Sequence, residues 1–101
     1  MIALNENERK TLTNIMKRHA TDQHYKVVVF GSRVNGKARK YSDVDVALIG
    51  EHAVPLRTIA LLADALDDSS LPYTVDIVDF DSAGDAMQSE ITRNGEELLQ
   101  T

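Results

Sequence analysis

Residues 28–36, VVFGSRVNG, and residues 42–46, SDVDV, are the most informative part of this sequence. The first stretch is an apolar strand that ends in a glycine–serine turn, and the second begins another strand with two aspartates. Residues two apart in a strand point to the same face, so Asp43 and Asp45 are expected to project together while the neighbouring valines point into the core. Two like charges beside apolar residues repel and lose hydration, and this cost predicts a compensating cation such as Mg²⁺.

Length and charge limit what can be built around this pair. The 101 residues suffice for one small domain with a single core, and we expect residues 1–101 to form it. A net charge of −5 argues against binding nucleic acid through general charge attraction. The sequence has no cysteine, no signal-peptide pattern and no apolar stretch of the roughly 20 residues that cross a bilayer. These features predict a soluble cytoplasmic protein without a membrane partner.

Apolar periodicity predicts an alternation of helices and strands. The pattern places helices at residues 5–21, 32–37, 55–66 and 82–100, the last broken near its end by Gly95, and strands at residues 25–30, 44–49 and 73–80. Ser32 is expected to cap the second helix. The elements together predict one α/β domain with a three-stranded sheet.

The glycine–serine turn has a possible role in binding phosphate. Gly31 allows a sharp turn and a close backbone approach, and Ser32 opens a helix whose free N–H groups attract phosphate oxygens. A strand followed by Gly-Ser is also common where serine only caps a helix, so the turn alone does not distinguish phosphate binding from helix capping. The sequence is neither a Walker A loop nor a Gly-x-Gly-x-x-Gly turn.

A third carboxylate favours a functional site. Val75 and Ile77 are expected to pack inward, which turns Asp76 toward the face proposed for Asp43 and Asp45. Three acids on one sheet face can hold two metal ions about 3.5–4 Å apart, the arrangement used for nucleotidyl transfer. Alone, Asp76 would be better explained as a solvated residue on an exposed strand. The other two acids and the turn reverse that preference.

The combined pattern resembles the minimal nucleotidyltransferases of the DNA polymerase β-like superfamily. Its parts are GSRxxGxxRxxSDxD at residues 31–45, VDIVD at residues 75–79 and EIxxxG at residues 90–95. The resemblance implies the polymerase β-like fold of α/β (α+β) type, a small mixed three-stranded sheet with helices packed on one face. One departure is Asn35, which stands where many members carry arginine.

The resemblance also implies a role for individual residues. Asp43, Asp45 and Asp76 would be the catalytic acids and the ligands of two Mg²⁺ ions, with Asp76 next to the attacking hydroxyl. The residues expected to bind the nucleotide are Gly31, Ser32, Arg33, Arg39 and Ser42. Lys37 and Lys40 belong to the same basic run, where a solvated turn explains them better.

The function implied by the resemblance is transfer of AMP from ATP to a hydroxyl, with tyrosine as the expected acceptor. Short members of this family are commonly paired with a small helical HEPN protein as antitoxin and toxin, which implies a hetero-oligomer. Two alternatives remain. The chain could neutralise its partner by occlusion without catalysis, or it could transfer a nucleotide to a small molecule, although no acceptor pocket is evident.

Overall fold

The computed structural model describes residues 2–37 and 43–101. Its helices are α1 (Glu6–His19), α2 (Ser32–Asn35), α3 (Leu56–Asp67) and α4 (Asp85–Asn94), and its strands are β1 (Lys26–Phe30), β2 (Val44–Ile49), β3 (Val75–Asp79) and β4 (Glu96–Gln100). A short 3-10 turn, Phe80–Ser82, joins β3 to the segment before α4. None of the helices in residues 2–37 and 43–101 has the length and apolar character of a membrane-spanning segment.

The four strands form one mixed sheet in the order β3-β2-β1-β4. β1 runs antiparallel to β2 and β4, whereas β2 and β3, joined through α3, are parallel. The carboxyl end of β1 therefore meets the amino ends of β2 and β3 at one end of the sheet. This topology brings the turn after β1 next to the aspartates on β2 and β3.

One face of the sheet forms the main core with α1 and α3. Alternate residues of β1 and β2 point to this face, as the period of two requires, and are almost completely buried. The fully buried members include Leu12, Met16, Val27, Val29, Val44, Val46, Leu48 and Leu62. The predicted inward direction of Val44, Val46 and Leu48 is confirmed. Asp45 lies between two of them and must therefore project from the opposite face.

The predicted three-stranded sheet is wrong by one strand. The last helix ends at Asn94, and Glu96–Gln100 forms β4 along the free edge of β1. Gly95 separates them in a tight place, where a Cβ atom would lie 2.5 Å from both the Ile91 carbonyl oxygen and a Val28 methyl carbon. The strand was missed because its pairing with β1 is long-range, and a five-residue segment with two adjacent leucines carries no clear period.

The expectation that all helices pack on one face also needs correction. Ile91 of α4 is buried against Val28, Phe30 and Ala47, which point away from α1 and α3. Helix α4 therefore covers part of the face from which Asp45 projects. Sequence periodicity identifies the apolar side of a helix but not the sheet face that it meets.

Replacement of Ile91 by alanine tests this packing. Ile91 is 2% exposed, so I91A is expected to lower the free energy of unfolding by about 2–4 kcal/mol in urea denaturation. The control is Met87→Ala on the same helix, where a side chain 43% exposed is expected to contribute less than about 1 kcal/mol. Equal effects of the two substitutions would show that α4 does not cover this face.

Candidate active site

The turn after β1 requires glycine at position 31. Gly31 has φ 76° and ψ −146°, a positive-φ conformation that residues with a side chain disfavour. A Cβ atom at this position would lie 2.6 Å from Oδ2 of Asp45. The register explains this closeness, because Phe30, the last residue of β1, pairs with Asp45. The backbone of the turn therefore lies directly against one of the predicted catalytic acids.

The predicted capping role of Ser32 is wrong. Gly31 occupies the N-cap position, its carbonyl oxygen accepts from the N–H groups of Val34 and Asn35 at 3.1 and 3.2 Å, and Ser32 is the first residue of α2. The cap makes no side-chain hydrogen bond to the helix. Ser32 is half-buried beside the turn. Its assignment to nucleotide binding stays a prediction.

The aspartates come together through the parallel pairing of β2 and β3. Asp45 is the register partner of Asp76, so their side chains leave the same face of the sheet in adjacent strands. The N–H of Val44 donates to the carbonyl oxygen of Thr74 at 2.9 Å, which extends the pairing to the residues just before both acids. Asp43 and Asp76 are exposed, whereas Asp45 is half-buried.

The electrostatic environment of Asp45 reflects this arrangement. Burial raises its pKa, and the charges of Asp76 and then Asp43 raise the pKa further. The charges of Asp43 and Asp76 therefore both act on the Asp45 carboxyl group. Repulsion of this kind is what a bound cation would relieve, and carboxylate oxygens are hard donors of the type that Mg²⁺ prefers.

The donor set fits Mg²⁺ without forming a closed cage. Across residues 2–37 and 43–101, no three acidic, histidine or cysteine side chains converge closely enough for a ready-made metal site. Mg²⁺ keeps several of its waters and commonly takes only one or two carboxylates together with substrate phosphates. Paired Asp45 and Asp76, with Asp43 just before β2, meet that requirement.

Among the other predicted nucleotide-binding residues, Arg33 has its side chain in the protein interior. Arg33 is 5% exposed, its Nη1 donates to the carbonyl oxygen of Ala3 at 3.0 Å, and its guanidinium carbon lies 4.5 Å from the centre of the Tyr73 ring. Arg39 and Ser42 lie outside the described residues. Sequence reasoning did not identify Tyr73, because no local pattern indicates a contact between segments so far apart along the chain.

Because the pKa of Asp45 is raised, removing its charge is expected to increase the stability of the folded protein, and the increase should depend on pH. A carboxyl group whose pKa is higher in the folded state opposes folding once it ionises, so stability falls as pH rises through that pKa. In EDTA, D45N is expected to unfold roughly 3–6 °C above the wild type at pH 7 and at a similar temperature in acid, as measured by thermal denaturation. Asp64→Asn, an exposed acid on α3, controls for the change in net charge. A D45N protein no more stable than D64N at pH 7 would contradict the repulsion.

Comparison with known proteins agrees with this geometry. Residues 10–101 match the family model described as polymerase beta, nucleotidyltransferase. A Haemophilus influenzae protein assigned as the protein adenylyltransferase MntA is 46% identical over 56 residues, which make up 55% of this chain and 49% of that protein. The chain thus spans about half the length of the curated relative that it matches.

Two solved structures show the same fold. A toxin–antitoxin structure with AMP-PNP has a TM-score of 0.76 and 23% identity, and the match covers 90% of this chain and 72% of the chain in that structure. The structure of a tri-AMPylated Shewanella oneidensis HEPN toxin in complex with MNT antitoxin has a TM-score of 0.60 and 24% identity. The match covers 90% of this chain and 71% of the chain in that structure. Identities this low establish the fold alone. The family match over residues 10–101 confirms the resemblance seen in the sequence, and this chain belongs to the polymerase beta nucleotidyltransferase family.

Proposed function

We propose that this chain is a magnesium-dependent nucleotidyltransferase that transfers AMP from ATP to a hydroxyl of a helical HEPN-type partner and acts as its antitoxin. The observation that carries the proposal is the pairing of Asp45 with Asp76 beside the Gly31 turn. The names of similar proteins support the finer points, since the Haemophilus relative is assigned as a protein adenylyltransferase and the Shewanella structure contains an AMPylated HEPN toxin.

The reaction assigns separate tasks to the residues of the site. The backbone at Gly31 can approach the phosphates closely, and Ser32 offers a hydroxyl donor beside it. Asp43, Asp45 and Asp76 would hold Mg²⁺, which when bound polarises the α-phosphate and neutralises charge on the departing pyrophosphate. The acceptor oxygen forms a bond to the α-phosphorus. At the same time the bond between the α-phosphorus and the oxygen that bridges to the β-phosphate breaks, and pyrophosphate leaves with that oxygen. Asp76, which is exposed on edge strand β3, would take the proton of an acceptor arriving from solvent.

The openness of the site favours a macromolecular acceptor. Asp43 and Asp76 are both exposed, and β3 is an edge strand of the sheet that residues 2–37 and 43–101 form. Small-molecule sites generally enclose most of the ligand surface in a concave pocket. A protein partner can instead supply the missing walls together with the acceptor hydroxyl, for which tyrosine is the residue expected from the family resemblance.

Replacement of Asp43 and Asp45 by asparagine tests catalysis directly. Incubated with the partner, ATP and Mg²⁺, D43N/D45N is expected to transfer AMP more than about a hundredfold more slowly than the wild type, because the oxygen ligands lose their charge. Mass spectrometry of the partner measures the added AMP and locates the modified side chain. Asp64→Asn serves as the control for loss of an exposed acid.

Neutralisation of the partner separates catalysis from occlusion. We expect the double variant to lose neutralisation together with transfer, while D64N keeps both. A D43N/D45N protein that neutralises the partner fully would contradict the proposal and identify the chain as a non-catalytic binding module.

A further inference from the structure

Arg33 directly follows the glycine–serine turn, Gly31–Ser32, yet its side chain faces the protein interior. Only 5% of the residue is exposed, which leaves almost none of the guanidinium accessible to a ligand. To contact a triphosphate, Arg33 would have to leave the contacts that it makes with two other segments. Those contacts suggest a different role.

The first contact is a reciprocal pair of hydrogen bonds with Ala3. The N–H of Ala3 donates to the carbonyl oxygen of Arg33 at 2.7 Å, and Nη1 of Arg33 donates to the carbonyl oxygen of Ala3 at 3.0 Å. The backbone and the side chain of Arg33 are thus held by the same residue. This pair fixes α2, and with it the adjoining turn, to the segment that leads into α1.

The second contact is with the face of the Tyr73 ring, whose centre lies 4.5 Å from the guanidinium carbon of Arg33. Burial raises the pKa of Tyr73 to about 12, so the ring is neutral near pH 7 and the contact is a cation–π interaction. The Tyr73 hydroxyl has no hydrogen-bond partner within residues 2–37 and 43–101, which leaves the ring as the interacting part. The next residue, Thr74, accepts the hydrogen bond from Val44.

We propose that Arg33 is a positioning residue that holds the Gly31–Ser32 turn in place against Asp45 and Asp76. It joins the turn to the N-terminal segment through Ala3 and to the start of β3 through Tyr73. The turn has little freedom to move, because the Gly31 backbone already lies against the Asp45 carboxylate. A displacement of about 1 Å at such a site can lower a rate by about a hundredfold.

The chemistry of arginine explains why lysine should not replace it. A planar guanidinium can stack on a ring and donate in its own plane at the same time, whereas an ammonium group is a compact and strongly hydrated point charge. Arg33→Lys keeps the positive charge but loses this combination. Ala3→Pro leaves the Arg33 side chain intact and removes the N–H that bonds to the carbonyl oxygen of Arg33.

The test combines nucleotide affinity with local amide exchange. R33K and A3P are each expected to weaken binding of AMP-PNP with Mg²⁺ by about tenfold in calorimetry, and to speed hydrogen exchange by a similar factor at residues 31–35. Ala3→Ser keeps the backbone donor and Tyr73→Phe keeps the ring, so both are expected to match the wild type within about twofold. Leu62→Ala controls for general loss of stability, because it removes core volume under α3 and should leave nucleotide affinity unchanged.

The outcomes distinguish this role from phosphate binding. If R33K and A3P both bound nucleotide as tightly as the wild type does, the positioning role would be overturned. The inference rests on the proposed function only for the affinity readout. If the wild type bound no nucleotide, the proposed function would fail, whereas unchanged exchange at residues 31–35 in R33K and A3P would overturn the positioning role itself.

Discussion

The parallel pairing of β2 with β3 is the constraint on which the site depends. It sets Asp45 beside Asp76 in register, although two neighbouring carboxylates repel each other. The opposite face of β2 makes this register compulsory, because Val44, Val46 and Leu48 are fully buried against α1 and α3. A slip of one residue would bring Asp45 into that core and expose the valines. Burial on one face of the strand thus maintains repulsion on the other.

The pairing of β1 with β2 completes the arrangement from the other side. Because Phe30 pairs with Asp45, the chain must turn immediately beside that carboxylate, and only glycine leaves room for it. The short helix that follows is held by Arg33, which contacts both Ala3 and Tyr73. The glycine–serine turn and the aspartates proposed to bind metal are therefore parts of one arrangement rather than two neighbouring motifs. This is why a residue buried away from any ligand can be expected to influence nucleotide affinity.

Local patterns predicted the strands that carry the acids. The alternation around Asp45 and Asp76 identified their common face, because a period of two is visible within five or six residues. β4 was not predictable in this way, because residues 96–100 form a strand only by pairing with the edge of β1, which is distant in the sequence. The sheet face covered by α4 depends on the same long-range packing of Ile91. The role of Arg33 could not be predicted for a different reason. An arginine beside a glycine–serine turn is compatible both with binding phosphate and with a buried side chain that positions the turn, and only its exposure in the structure distinguishes the two.

Thermal unfolding with and without Mg²⁺ tests the paired acids most directly. A cation that binds only the folded protein adds about 1.4 kcal/mol at ten times its dissociation constant, which corresponds to several degrees for a domain of this size. The wild type and Asp64→Asn are expected to gain this stability, whereas Asp45→Asn and Asp76→Asn should lose most of it. The same Mg²⁺-dependent shift in all four proteins would contradict a metal site between β2 and β3.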